Sequence, residues 1–433
     1  MHWLGVLFLI AVLLRAAVRL WLASRQIASI EARRSKVPRL FADQISVADQ
    51  EKAADYTAAR MRLTRVGALT GAAVAVALTF GGGIASADEL WRLTDLPQPW
   101  LGTAVVLTVL GALRLVELPF SLWRTFGLEA RFRFNRTSPR LFVTDLAKRT
   151  ALGVAIVAPL AAAAILLMER GGAGWWLFAW LGWLSVMLGL TWAWPRLVAP
   201  LFNRFTPLAD TALERRLAAL LERCGFTSGG VFVMDGSRRS SHGNAYFTGV
   251  GRSKRIVFFD TLLTRLAPAE VEAVLAHELG HFRLKHVRQR LAVSAAMALV
   301  GLAALAWLSA RPEFYAALGV STPSPHVALL LFVIAAPAFT FFMTPIASSW
   351  SRRQELEADD FAVRQTSAGD LAGALLKICR DNASNLSPDP VYSAFYDSHP
   401  PPLLRVARLR VVSLPVSSGP PPAQPRRQPA VLQ

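Results

Sequence analysis

Cysteine is almost missing from this chain: Cys224 and Cys379 are the only two in 433 residues. Two distant thiols cannot build a disulfide framework or a four-cysteine zinc site. Charge is sparse as well, at 18% of residues against about 25% in an ordinary soluble domain. Carboxylates and lysines account for the shortfall. Lys and Arg total 47 against 29 Asp and Glu, and arginine outnumbers lysine roughly seven to one. What fills the space is apolar, at 53%. It is gathered in blocks of the length that crosses a bilayer, about 20 residues as a helix. The chain therefore reads as an all-α, multi-pass membrane protein rather than a soluble globular one.

The apolar blocks predict about seven spans, at 4–23, 66–85, 101–123, 151–168, 175–194, 291–308 and 326–344. The first block lacks a basic leader and a small-residue cleavage site, so it reads as a retained span and not a signal peptide. Arginine crowds the loops 24–65, 124–150 and 196–290 and is thin in 86–100, 169–174 and 309–325. Retention of basic loops on the cytoplasmic side accounts for the +18 charge better than nucleic-acid binding does. The alternation puts the N-terminus outside and the 196–290 block in the cytoplasm. Arg19, near a span end, is expected to snorkel to the interface, and Arg114 with Glu117 to pair along a helix facing the bundle interior.

Five blocks follow. Residues 1–195 hold five spans, 196–290 form a hydrophilic block, 291–345 hold two further spans, 346–412 form a second hydrophilic block, and 413–433 are a proline-rich, disordered tail. Within the hydrophilic blocks, 213–224 reads as an amphipathic helix and Val231–Met234 and Arg255–Phe259 as short strands. Helices are predicted at 268–290, 346–366 and 368–380.

The chemistry sits in Ala276-His277-Glu278-Leu279-Gly280-His281. Histidines at i and i+4 share one helix face, and an intervening glutamate can reach a water held by a metal, the H-E-x-x-H arrangement of zinc peptidases. Pro268 suits the first helical turn. A catalytic zinc takes three protein ligands and leaves a position open. The best source of a third is Gln354-Glu355-Leu356-Glu357-Ala358-Asp359-Asp360, where Glu355 and Asp359 lie at i and i+4. Spacing alone serves a ligand with a supporting carboxylate and a solvated acidic face equally well.

Further stretches carry a resemblance. Met234-Asp235-Gly236-Ser237 through His242-Gly243-Asn244-Ala245-Tyr246-Phe247, then Arg255-Ile256-Val257-Phe258-Phe259-Asp260, the HELGH helix, Ser351-Arg352-Arg353-Gln354-Glu355 and Ser398-His399-Pro400-Pro401 come in the order of the integral-membrane zinc CAAX prenyl proteases. Pro119-Phe120-Ser121-Leu122-Trp123-Arg124 and Phe134-Asn135-Arg136-Thr137 resemble that family too, so the likeness runs from about 115 to 410. It implies a helical barrel around a water-filled intramembrane chamber, with a small β-hairpin-like edge in the catalytic block. It implies one zinc ion on His277, His281 and Glu355, with Asp359 supporting a histidine and Glu357 and Asp360 as bystanders. Glu278 becomes the general base. Asn244 binds the substrate backbone, His399 stabilises the oxyanion or is instead a capped turn residue, and Arg405 contacts substrate or is instead a salt-bridged helix residue. His242 either lines the site or serves a turn, while His286, off the ligand face, is read as structural and His326 carries no reading. Three positions depart from the family: Pro402 stands where leucine is usual, Arg133 where glycine is expected, and Ala267 lacks a capping hydroxyl.

The resemblance implies a zinc metalloendopeptidase acting near the C-terminus of CAAX-type, prenylated substrates. A quality-control protease of the heat-shock zinc type is the second reading. A transporter or receptor with structural zinc is the third, disfavoured because a structural site is closed by four ligands and would leave Glu278 without a task. Arginine bias points to a GC-rich bacterial genome and an inner membrane, with endoplasmic reticulum the counterpart in a eukaryote.

Overall fold

The computed structural model describes residues 2–227, 229–248 and 255–413. Among these described residues, seven helices are long and apolar enough to cross a membrane: Trp3–Ala32, Val47–Leu78, Trp100–Glu129, Pro139–Arg170, Gly172–Phe202, His286–Ser309 and Pro325–Gln365. No more than 33% of any apolar window is buried inside the protein. Most of each apolar stretch is thus left uncovered by the protein itself, as a membrane-spanning helix allows.

The number of spans agrees with the sequence; several boundaries do not. The second helix begins at Val47 because Ser46 caps it. Ser46 Oγ accepts the Asp49 N–H at 3.1 Å, and the Asp49 carboxylate accepts the Ser46 N–H at 3.3 Å. It stops at Leu78, and Gly82, at φ 75°, turns the chain into a short helix at Gly83–Arg92. Much of the expected 24–65 loop is therefore helix. The last span continues through a tight turn at Phe341–Met343 into Thr344–Gln365, the helix that carries Glu355. The predicted helix 268–290 is broken in two. Pro268–Arg283 ends, Lys285 takes a left-handed φ of 61°, and His286 opens the next helix.

One charge expectation is corrected. Glu117 pairs with Arg124 at 3.9 Å and not with Arg114; seven residues on is about two helical turns, which returns to the same face. Arg19 lines a cavity of about 760 Å³ together with Arg60, Glu117 and Arg124.

The hydrophilic blocks hold a four-stranded mixed sheet, in the order β1-β2-β4-β3. Its strands are β1 (Phe205–Pro207), β2 (Val231–Met234), β3 (Ala245–Thr248) and β4 (Arg255–Phe259). The two strands read from the sequence, β2 and β4, run parallel, with Val231 opposite Ile256. The hairpin-like edge is β3 against β4, antiparallel with Ala245 opposite Phe258. Central β4 buries Ile256, Val257 and Phe258, and among the described residues β3 is the edge strand, paired on one side. The amphipathic helix Thr211–Arg223 buries Leu213, Leu217, Leu220 and Leu221 at helical spacing. These pack with Phe258, Leu275 and Leu279, and with Ala362 and Leu371 from the second block, in one core. The proline-rich tail, from residue 414 on, lies outside the described residues.

Candidate active site

Pro268 starts the motif helix, and the Glu270 carboxylate accepts the Ala267 N–H at 2.8 Å. That bond satisfies an end group without the absent capping hydroxyl. Nine residues on, His277 and His281 bring their Nε2 atoms to 3.3 Å from each other. Glu355 meets them from the neighbouring helix, with Oε2 3.4 Å from His277 Nε2 and Oε1 3.3 Å from His281 Nε2. The helices come this close because residue 280 is glycine. A Cβ there would lie 3.0 Å from Ala358 Cα and 3.1 Å from its carbonyl oxygen.

The outward nitrogens of both rings are held from behind. His277 Nδ1 lies 2.9 Å from Asp359 Oδ1, and Arg405 grips Asp359 in turn, Nε to Oδ2 at 2.8 Å. Arg405 is buried and its guanidinium is engaged with Asp359, as the salt-bridged reading expects. His281 Nδ1 lies 3.0 Å from His286 Nδ1, and His286 Nε2 lies 3.1 Å from Glu357 Oε2. Neither His286 nor Glu357 stands apart from the cluster as expected. Asp360 does, pairing with Arg408 at 2.7 Å on the surface.

Glu278 is half-buried beside the pair. Burial pushes its carboxyl above the ordinary glutamate range, against the pull of His277 and His281. Burial also works against a charged His277, but Asp359 and Glu355 outweigh it and lift the imidazole to about 9. His399 reaches in from a largely exposed position, with Nε2 3.4 Å from Glu355 Oε2 and Nδ1 3.0 Å from Ser398 Oγ. Pro402 opens the helix Pro402–Ser413, a position that suits proline. Arg133 takes φ 63°, which explains why glycine is the residue expected there.

Asn244 is exposed at the head of β3. Its Oδ1 accepts the Ala245 N–H at 2.8 Å and its carbonyl the Phe259 N–H at 3.0 Å. His242 stacks on Phe134 with ring centroids 4.4 Å apart, and its Nε2 lies 3.4 Å from Glu129. It lines the 760 Å³ cavity rather than the histidine pair. His326, which carried no reading, is fully buried against Asp88 at 2.7 Å. Its partner lies 238 residues away, and no local pattern signals the contact.

His277, His281 and Glu355 each offer one ligand atom, and these lie within 4.8 Å of one another. Glu355 Oε2 is buried without a hydrogen-bond donor, an orphan that a cation at this point would satisfy. Two imidazole nitrogens and a carboxylate suit a divalent metal. Beside them opens a cavity of about 510 Å³, lined by His399, Pro401, Arg405 and Arg60. It shares Arg60, Asn382 and Ser384 with the 760 Å³ cavity.

A multi-pass helical fold with this cluster at the edge of a cavity defines a membrane metallopeptidase. Residues 26–204 match the family model for the CAAX prenyl protease N-terminal region of five membrane helices, and 207–413 match peptidase family M48. The CAAX prenyl protease 1 homolog of Arabidopsis thaliana is 33% identical over 333 residues, covering 74% of this chain and 78% of that protein. The human homolog is 31% identical over 389 residues, covering 77% and 80%. The crystal structure of S. mikatae Ste24p superposes with a TM-score of 0.87 at 25% identity, over 94% of this chain and 99% of that one. The chain belongs to the M48 metalloendopeptidases of the CAAX prenyl protease type.

Proposed function

We propose that this enzyme uses zinc to cleave peptide bonds near the C-terminus of CAAX-type, prenylated substrates, with its site toward the cytoplasm of a bacterial inner membrane. The carrying observation is the convergence of His277, His281 and Glu355 beside Glu278. The relatives' names, CAAX prenyl protease 1, support the substrate class. The arginine-rich loops support the orientation.

His277, His281 and Glu355 would hold the metal. A bound zinc ion supplies Lewis acidity, polarising a carbonyl and lowering the pKa of water toward about 7. Glu278 accepts the proton of the attacking water and returns it to the departing amine. His399 hydrogen-bonds the oxygen on which charge develops. Asn244 and the edge strand β3 take the substrate backbone as an added strand. Asp359 holds His277 in orientation, with Arg405 behind it. An apolar groove of about 660 Å³, lined by Leu63, Val66, Phe120, Trp123 and Leu128, borders the polar cavity and shares Leu63, Phe120 and Leu128 with it. A peptide carrying an isoprenoid chain needs such a pairing of apolar and polar space.

The test is cleavage of a farnesylated C-a-a-X peptide beside its unprenylated twin, with wild type and Glu278→Gln and the zinc content of each recorded. Cleavage by wild type alone, faster on the farnesylated peptide, is the expected result. Equal rates would remove the preference for prenylation. Zinc-loaded wild type that cleaves neither peptide would overturn the reading in favour of larger membrane-protein substrates.

A further inference from the structure

His281 and His277 are not supported alike. Behind His277 stands a carboxylate, Asp359, at 2.9 Å. Behind His281 stands a second imidazole, His286, at 3.0 Å, and the carboxylate comes one step later, Glu357 at 3.1 Å from His286. His286 is 1% exposed and Glu357 43%. Arg353, one turn before Glu357 on the same helix, holds the other carboxylate oxygen at 3.1 Å.

The order of protons along this chain is forced. A histidine that offers Nε2 to a metal carries its hydrogen on Nδ1. His281 Nδ1–H must then donate to His286 Nδ1, which has to be the bare nitrogen. His286 consequently carries its hydrogen on Nε2, where Glu357 accepts it. Every donor meets an acceptor, and the anionic end lies farthest from the metal position. With the opposite tautomer of His286, Nδ1–H would face Nδ1–H and Nε2 would face a carboxylate without a hydrogen between them.

The backbone is shaped for this contact. In an unbroken helix, five residues at 100° each would leave His286 about 140° around the axis from His281. Lys285, at φ 61°, breaks the helix and returns His286 to the His281 ring.

We infer that His286 and Glu357 form a hydrogen-bond relay that fixes the tautomer and orientation of His281, which makes both positioning residues for the metal site. The inference rests on the reading of His281 as a metal ligand. Partners of this kind set metal affinity, and their loss costs roughly 10- to 100-fold.

Zinc affinity of the full-length protein in detergent, measured by competition with a chromogenic chelator, tests the relay without any substrate. His286→Leu is expected to weaken zinc about 10-fold or more. His286→Gln keeps a side-chain carbonyl that can accept from His281 Nδ1–H, and should recover much of that loss. Glu357→Gln, on a half-exposed residue that does not threaten folding, should weaken zinc in the same direction by less. Unchanged zinc affinity in both His286→Leu and Glu357→Gln would overturn the relay. So would equal losses in the Leu and Gln variants of His286, which would make its role one of packing. Because the competition involves no peptide, it decides the relay even if the cleavage assay fails.

Discussion

Arg405 holds Asp359 at two points, Nε to Oδ2 at 2.8 Å and Nη2 to Oδ1 at 2.5 Å, with only 8% and 3% of the two side chains exposed. The same carboxylate receives His277 Nδ1 at 2.9 Å. A residue from the helix Pro402–Ser413 thus bears on the histidine pair through one intermediary. The planar fork of arginine suits this task, and lysine would offer one point of contact in its stead.

Arg405→Ala would leave Asp359 charged, buried and short of its main partner. Breaking a buried pair in this way costs about 3–5 kcal/mol. The melting temperature in detergent should fall by several degrees or more, and zinc should be held more weakly because His277 loses its anchored acceptor. Arg405→Lys should fall between. An alanine variant with unchanged melting and zinc content, but a raised KM, would return Arg405 to the substrate.

Glu278 and Glu355 should separate cleanly. Glu278→Gln preserves shape and removes the base, so zinc content should stay at the wild-type level while kcat drops by about 10²- to 10⁴-fold or more. Glu355→Ala removes a ligand, so zinc and activity should disappear together. Metal analysis beside a peptide assay distinguishes the two. Full zinc occupancy in Glu355→Ala would move the third ligand to another residue.

The site was legible where the chemistry is local. His277, Glu278 and His281 sit in one short helical motif, and Glu355 with Asp359 at i and i+4 on a second; both lie on helices as their pattern predicts. What stayed hidden depended on backbone turns and distant partners. No periodicity announces that Lys285 adopts a left-handed conformation, so His286 was projected away from the site. Glu357 looked idle because its partner is 71 residues away. Hydropathy found seven spans but misjudged the second, because it cannot see a polar first half held by the Ser46 cap. The mixed sheet escaped for a similar reason: β2 and β4 read as strands, but nothing in either dictates that they pair in parallel.

Gly280 sets the distance between the motif helix and the helix bearing Glu355. A methyl group at 3.0 Å from Ala358 Cα and 3.2 Å from Phe361 Cβ meets backbone and buried core that cannot step aside. Gly280→Ala should therefore push the helices apart, at about 1–3 kcal/mol for overpacking. That displacement moves both histidines relative to Glu355, so zinc affinity should suffer along with melting temperature. The clashing atoms of residue 358 are its Cα and carbonyl oxygen, which every residue keeps, so Ala358→Gly should not restore the zinc affinity in the double variant.

Asp389 ties the first span to the segment that leads to His399, and its contribution should depend on pH. Its carboxylate receives Arg25 Nε at 3.3 Å and Nη2 at 3.0 Å, and caps the helix Pro390–Tyr396 through the Val391 and Tyr392 N–H groups at 3.1 and 2.9 Å. Burial pushes the carboxyl up, but the Tyr392 N–H and the Arg25 guanidinium outweigh it and hold it below the usual aspartate range. A depressed folded value means the stabilisation is fully present above the unfolded value of about 3.9 and is lost as pH falls through the folded one. Asp389→Asn keeps a capping oxygen and removes the charge, while Asp389→Ala removes both, at a further cost of about 0.5–2 kcal/mol. Melting curves at pH 7 should therefore rank wild type above Asn above Ala. Below about pH 4 wild type should converge on Asn while the Asn–Ala gap persists. A gap between wild type and Asn that stays constant down to pH 3 would mean that neither the cap nor the Arg25 pair, 40% exposed on the arginine side, draws on the carboxylate's charge.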